Sequence, residues 1–113
     1  MNTKKDIIQH AKDTLLSESE SIVKSITNLN EDVAEAVIKI SETKGRLVIT
    51  GIGKSAHIAN KIVATLNSTG TPSMFLHAAE AVHGDLGMVT KDDIILCISN
   101  SGNSPEIKVL VPL

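Results

Sequence analysis

The chain of 113 residues has one cysteine, one phenylalanine and neither tryptophan nor tyrosine. One cysteine excludes an internal disulfide, and the place of Cys97 in an apolar run predicts a packed thiol without chemical function. No apolar stretch is longer than five residues, which argues against a membrane span, and segment 1–8 is too charged for a secretory signal. We therefore expect a soluble, cytoplasmic protein that makes no membrane contact.

A strong charge of either sign is also missing. The net charge is −2, and no basic run is longer than Lys4 and Lys5. Such a chain has no general attraction for nucleic acid, so we expect no nucleic-acid partner. Internal repeats, low-complexity tracts and linkers are absent, and the length allows one domain at most.

What is present is a helical first part followed by alternating strands and helices. Apolar residues recur at helical spacing over 3–28, with Thr3 as a cap, and Asn30 caps a second helix that we expect to stop at Gly45. Beyond Gly45 the pattern predicts, in order, a strand at 46–50, a helix at 54–68, strands at 74–76 and 94–98, and a helix from Pro105. The buried face of the helix over 54–68 is expected to carry Ile58, Ile62 and Leu66.

This alternation predicts an α/β fold, with a parallel sheet between two layers of helices. About three strands are fewer than such a sheet usually has, and the apolar segment 109–113 would end the chain in an unfinished helix. We interpret residues 1–44 as an N-terminal helical region and residues 45–113 as the front portion of a parallel-sheet domain.

Two loops rich in serine and glycine follow the first and third predicted strands. Residues 51–55 read Gly-Ile-Gly-Lys-Ser, and residues 99–104 read Ser-Asn-Ser-Gly-Asn-Ser. Glycines let the backbone come close to a ligand, serine hydroxyls add donors, and a helix N-terminus offers free N–H groups with partial positive charge. Two such loops at the carboxyl ends of strands predict one site for an anionic small molecule.

Nucleotide-binding motifs fit the first loop poorly. A P-loop requires a glycine where Val48 stands, which argues against ATP or GTP. The looser dinucleotide pattern is satisfied, but the next predicted strand ends at Leu76 and His77, with no acidic residue for a ribose. His77, Glu80 and His83 are metal-ligand types, but a tetrahedral ion would require their helix to unwind. We expect neither a cofactor nor a metal.

Four motifs between residues 45 and 110 resemble the sugar isomerase (SIS) domain of the arabinose-5-phosphate isomerases. They are Gly-Ile-Gly-Lys-Ser at 51–55, Ser-Thr-Gly-Thr-Pro-Ser at 68–73, Glu-Ala-Val-His-Gly-Asp-Leu-Gly-Met at 80–88 and Ile-Ser-Asn-Ser-Gly at 98–102. The resemblance implies a five-stranded SIS-type sheet and a homotetramer. It also implies interconversion of D-ribulose 5-phosphate and D-arabinose 5-phosphate, the entry to Kdo and lipopolysaccharide synthesis in Gram-negative bacteria.

Residue by residue, the resemblance implies a sugar-phosphate site and a catalytic set. The phosphate-binding positions are Gly53, Ser55, Ser99, Asn100, Ser101, Gly102 and Ser104, and the catalytic positions are Lys54, His83 and Glu106. An aldose–ketose isomerase needs a base, for which Glu106 is suited, and an electrophile, for which Lys54 is suited. His83 would act as an acid–base residue or open the sugar ring. A glutamate and a histidine of the family match no position, and Asn103 and Pro105 depart from its pattern. We expect residues 1–113 alone to be neither an active isomerase nor a stable monomer.

Other interpretations of these residues stay open. Glu106 could simply be a carboxylate in the first turn of a helix, and Lys54 a solvated surface lysine. Ser104 could serve as the N-cap before Pro105. A non-catalytic SIS module, as in sugar-phosphate-responsive regulators, would keep the serine loops, although no helix-turn-helix signal accompanies them. An isomerase of another ketose phosphate is also compatible with the motifs. The remaining histidines are expected to be structural or at the surface: His10, His57 and His77.

Overall fold

The computed structural model describes residues 3–112, so the last residue of the apolar segment 109–113 lies outside the described part. Contacts within the chain divide it into two units, residues 1–38 and residues 39–113. Each unit is described by itself.

The first unit is helical. Helix α1 (Lys4–Ser25) has 22 residues and continues into a 3₁₀ turn (Ile26–Asn28). The Thr3 hydroxyl accepts the Asp6 N–H at 3.1 Å and so caps α1, because it satisfies one of the free donors of the first turn. Helix α2 (Glu31–Glu42) begins in this unit and runs into the second. The Asn30 side chain accepts the Asp32 N–H at 3.0 Å, which confirms the second predicted cap.

The apolar side chains of α1 are exposed. No residue of α1 or α2 is buried. The helical spacing of the apolar residues is as predicted, but these residues are all more than half exposed: Ile7, Ile8, Leu15, Leu16, Ile22 and Val23. An amphipathic helix is normally stabilised by burying this stripe, and among the described residues of the first unit nothing buries the stripe of α1.

The second unit is built on three parallel strands, β1 (Leu47–Gly51), β2 (Ser73–His77) and β3 (Ile94–Cys97). Their order in the sheet is β2-β1-β3, so β1 is central. Gly51 pairs with His77 on one side, and Thr50 pairs with Cys97 on the other. The three predicted strands are confirmed.

Helices cover both faces of this sheet. They are α3 (Lys54–Ser68), α4 (Ala78–Val82) and α5 (Pro105–Leu110), with a 3₁₀ turn (Asp85–Met88) after α4. Successive residues of a strand point to opposite faces, so β1 contributes to two cores. On one face Leu47 and Ile49 pack with Ala59 of α3, and on the other Val48 packs with residues of α4 and α5: Ala78, Ala81, Ile107 and Leu110. The predicted α/β three-layer arrangement is confirmed.

Two predictions about this unit are wrong. Ile58 is 54% exposed, because α3 approaches the sheet through the small buried side chains of Ala56 and Ala59. Gly45 does not stop α2, which already ends at Glu42. A side chain at Gly45 would collide with the Asp92 carbonyl and the Asp93 carboxylate, so it is close packing that requires glycine there.

Candidate functional site

The two serine-and-glycine loops lie on neighbouring strands. One follows β1 and the other follows β3, and the two strands are parallel partners, so both loops start at the same edge of the sheet. From this edge the chain enters α3 on one face after β1, and α5 on the other face after β3. In α/β proteins, ligands bind at the carboxyl ends of strands whose connections leave toward opposite faces, so this end of the sheet is the expected place for a ligand.

The first loop is shaped by glycines. Gly53 has φ 61° and ψ −131°, a conformation that side chains disfavour, and it stands immediately before α3. A Cβ at Gly51 would lie 3.0 Å from the Ser55 carbonyl carbon, so the first turn of α3 packs directly on the end of β1. The N-cap residue Gly53 has no side chain with which to cap α3. The amino end of this 15-residue helix therefore keeps free N–H donors beside the half-buried Ser55.

The second loop is braced by its own serines. The Ser99 hydroxyl accepts the Gly102 N–H at 2.9 Å, and the Ser101 hydroxyl accepts the Asn103 N–H at 3.0 Å. Gly102 has φ 70°. A serine oxygen that accepts a hydrogen bond still has its own O–H to donate, so both hydroxyls can bind an anion while they hold the loop.

Ser104 lies at the N-cap of α5, but its side chain makes no capping hydrogen bond. Ser104 thus occupies the N-cap position without capping α5 through its side chain. The hydroxyl of this half-buried serine stays available to a ligand. Asn100 is exposed in the same loop.

His83 and Glu106 line one small pocket. Its volume is about 210 Å³, and its other walls are Ala79, Val82, Pro105 and Val109. Glu106 is half-buried in the first turn of α5, where the helix dipole stabilises a carboxylate, and His83 is the exposed C-cap of α4. Lys54 does not line this pocket; it is exposed at the start of α3, beside the first loop.

A larger cavity of about 470 Å³ contains none of the predicted site residues. It lies beside β3, and Leu86, Cys97 and Leu110 are among its mainly apolar walls. Cys97 is partly exposed there rather than fully packed, and burial raises the pKa of its thiol above the ordinary value.

Two features of this edge are not predicted from the sequence. His77 caps α4 through its side chain, whereas the sequence indicates only a structural or rim residue. The hydroxyl of Thr50 is fully buried one residue before the first loop and has no hydrogen-bond partner among the described residues. The run Leu-Val-Ile-Thr gives no signal for this isolated hydroxyl.

Residues 3–112 show neither a metal centre nor a membrane span. That part of the chain contains no group of three or more His, Cys, Asp or Glu side chains placed to hold a metal ion. None of its helices combines the length and the apolar character needed to cross a bilayer.

The parallel sheet and the paired loops define an α/β domain of the kind that binds ligands at the carboxyl ends of its strands. The family model of the SIS domain matches residues 39–113, and the chain belongs to this family. It is 46% identical over all 113 residues to the arabinose 5-phosphate isomerase KdsD of Pseudomonas aeruginosa, and 48% identical over 108 residues to that of Yersinia pestis. These matches cover 100% and 96% of this chain but 35% and 33% of the relatives, so the chain spans about a third of their length.

A solved structure has the same fold. An Escherichia coli CFT073 protein in complex with arabinose 5-phosphate superposes with a TM-score of 0.92 at 42% identity. The match covers 97% of this chain and 58% of that protein.

Proposed function

We propose that the natural protein containing these residues acts as an aldose–ketose isomerase that interconverts D-ribulose 5-phosphate and D-arabinose 5-phosphate through an enediol. The observation that carries this proposal is the pair of serine-and-glycine loops at the ends of β1 and β3, of which the second leads directly into the pocket of His83 and Glu106. The similarity to KdsD isomerases and to a protein solved with arabinose 5-phosphate supports it.

In this proposal the two loops bind the phosphate. The hydroxyl of Ser55 and the free N–H groups of the first turn of α3 would serve it from one side. The serine hydroxyls of the second loop would serve it from the other, together with backbone N–H groups made accessible by glycine. The complete set is Gly53, Ser55, Ser99, Asn100, Ser101, Gly102 and Ser104.

The reaction moves one proton between two neighbouring carbons. Glu106, as carboxylate, would take a proton from C1 of the open-chain ketose and return it to C2, while a hydroxyl proton moves from the C1 oxygen to the C2 oxygen. The C1–H bond breaks and a C2–H bond forms, so the aldehyde appears at C1 with no external reductant. Lys54 would stabilise the negative charge of the enediolate, and His83 would transfer protons when the cyclic aldose opens.

The wider setting is proposed on the same basis. Residues 1–44 would form a helical region ahead of the sugar-phosphate domain of residues 45–113. The exposed apolar stripe of α1 supports assembly with further copies, and we propose a homotetramer in the cytoplasm. Its product would supply Kdo and lipopolysaccharide synthesis.

The test is to incubate D-ribulose 5-phosphate with this chain, and with the longest natural protein that contains these residues, and to follow D-arabinose 5-phosphate by NMR. A proton exchanged from solvent into C2 of the product would support the enediol route. Fructose 6-phosphate serves as the competing substrate. Binding of the pentulose phosphate without any turnover in the longer protein would instead identify a non-catalytic sugar-phosphate module.

A further inference from the structure

His77 is held in one orientation at the end of β2. Its Nδ1 accepts the Ala79 N–H at 3.2 Å, and its ring meets that of Phe75 edge-to-face, with centroids 6.1 Å apart and planes at 82°. The contact with Phe75 limits ring rotation, and the hydrogen bond makes His77 the N-cap of α4.

Helix α4 depends on such support, because its five residues form little more than one turn. A helix this short is not stable by itself in water. Ala78 and Ala81 anchor one side of it in the core, while Ala79 and Val82 face the pocket that contains Glu106. The Ala79 N–H would otherwise be one of the unpaired donors of the first turn.

His83 stands at the other end of the same turn. It is the C-cap of α4, and its N–H donates to the Glu80 carbonyl at 3.1 Å. The place of the His83 ring in the pocket therefore follows from how the turn is held. His77 holds the first end of that turn and does not itself line the pocket.

We propose that His77 is a positioning residue, which caps α4 and thereby holds His83 against the pocket of Glu106. The consequence for turnover rests on the proposed isomerase function, whereas the consequence for the order of α4 does not. His77 touches no reacting atom in this proposal.

Two substitutions of His77 distinguish its role as hydrogen-bond acceptor from the role of its ring. His77→Asn keeps a side-chain acceptor at the N-cap, where asparagine is among the most favourable residues, and removes the ring. His77→Phe keeps a ring against Phe75 and removes the acceptor. Thermal unfolding of both variants checks that each is folded before it is compared.

The first readout is amide hydrogen exchange of His83 and Gly84 without ligand. We expect exchange about fivefold faster in His77→Phe and near wild type in His77→Asn, as for loss of a helix cap. Equal exchange in wild type and His77→Phe would overturn the proposal. This readout decides whether His77 holds His83 even if the wild-type protein does not isomerise ribulose 5-phosphate, a result that would contradict only the proposed function.

The second readout is steady-state turnover of ribulose 5-phosphate, measured in the longest natural protein that contains these residues. We expect kcat of His77→Phe to fall about tenfold with KM within about twofold, and His77→Asn to restore kcat, because a displaced catalytic group slows the chemical step more than binding. Faster exchange with unchanged kcat would overturn the positioning role and leave the isomerase function standing. A kcat equally low in both variants would also overturn it, since the ring and not the acceptor would then matter.

Discussion

The Asp93 carboxylate, directly before β3, is hydrogen-bonded to Arg46, directly before β1. Its Oδ1 accepts the Arg46 backbone N–H at 2.7 Å, and its Oδ2 accepts the Arg46 guanidinium at 3.2 Å and the Thr90 N–H at 2.8 Å. The side chain of Asp93 is 1% exposed. The backbone hydrogen bonds from Thr90 and then Arg46 favour the charged form and hold the pKa of Asp93 far below its ordinary value.

We predict that this carboxylate stabilises the fold only while it is ionised. Because its pKa is lower in the folded state than in the unfolded chain, the stabilisation is fully present above about pH 4 and is lost progressively as the pH falls below that value. Asp93→Asn would point an N–H₂ group toward these donors and lower the melting temperature at pH 7. Thermal melts of wild type and variant between pH 7 and pH 2.5 should approach one another as the pH falls.

The matched control for Asp93 is Asp92→Asn, which makes the same charge change at the exposed neighbouring residue. If both variants lowered the melting temperature equally, net charge rather than the Asp93 hydrogen bonds would be responsible.

We predict that Ser101→Ala and Ser104→Ala both weaken sugar-phosphate binding, and that only Ser101→Ala also loosens its loop. Each removes a donor to the phosphate, which costs about 1 to 3 kcal/mol, or about a 5- to 150-fold rise in Kd. Ser101→Ala also removes the acceptor for the Asn103 N–H and should speed exchange of that amide without ligand. Titration calorimetry gives Kd, and hydrogen exchange reports on the loop. An unchanged Kd would remove the residue concerned from the site.

We predict that Glu106→Gln lowers turnover by about 10²- to 10⁴-fold and leaves sugar-phosphate affinity nearly unchanged, because it keeps the shape of the side chain and removes the base. Glu80→Gln makes the same change at an exposed residue of α4 and should keep wild-type turnover. Both variants are made in the longest natural protein that contains these residues, and isomerisation of ribulose 5-phosphate is measured alongside a binding titration. Near-normal turnover of Glu106→Gln would return Glu106 to the role of a helix-start charge.

We predict that Gly51→Ala destabilises the fold by about 1 to 3 kcal/mol, as overpacked interiors do. The added Cβ would lie 3.0 Å from the Ser55 carbonyl carbon and 3.2 Å from the Ala56 nitrogen, so α3 would have to shift. Gly87→Ala is the control, because a Cβ there meets nothing within 4 Å. Urea unfolding measures both. A Gly51→Ala variant as stable as Gly87→Ala would show that the first turn of α3 is not held against β1.

Local patterns in the sequence are sufficient for the three strands, for α1, α2, α3 and α5, and for the two loops. They do not predict α4 or the 3₁₀ turn after it, which the sequence presents as a connection between β2 and β3. Side-chain caps such as Asn30 act within a few residues, and the bounds of α3 agree with the prediction because both ends are marked locally. The sequence could not predict that the Asp92 carbonyl leaves no room for a side chain at Gly45, nor that Ile58 faces outward. Both depend on how closely separate elements approach one another.

The site shows the same division. Sequence motifs identify the serines, but only the strand order β2-β1-β3 brings the two loops to adjacent strands. The shared pocket of His83 and Glu106 requires α4 and α5 to pack on the same face, and the capping role of His77 requires the turn between β2 and α4. None of these relationships is encoded in residue spacing.

The Asp93 carboxylate sits at the amino end of β3, whereas the serine loops follow the carboxyl ends of β1 and β3. A substitution at Asp93 thus removes no hydrogen bond of the serine loops at the other end of the strands. In genetic terms, a gene that carries Asp93→Asn is expected to be a temperature-sensitive allele. Its product would recognise its ligand normally in cells grown cool and would be lost on warming, which would separate loss of the protein from loss of its chemistry.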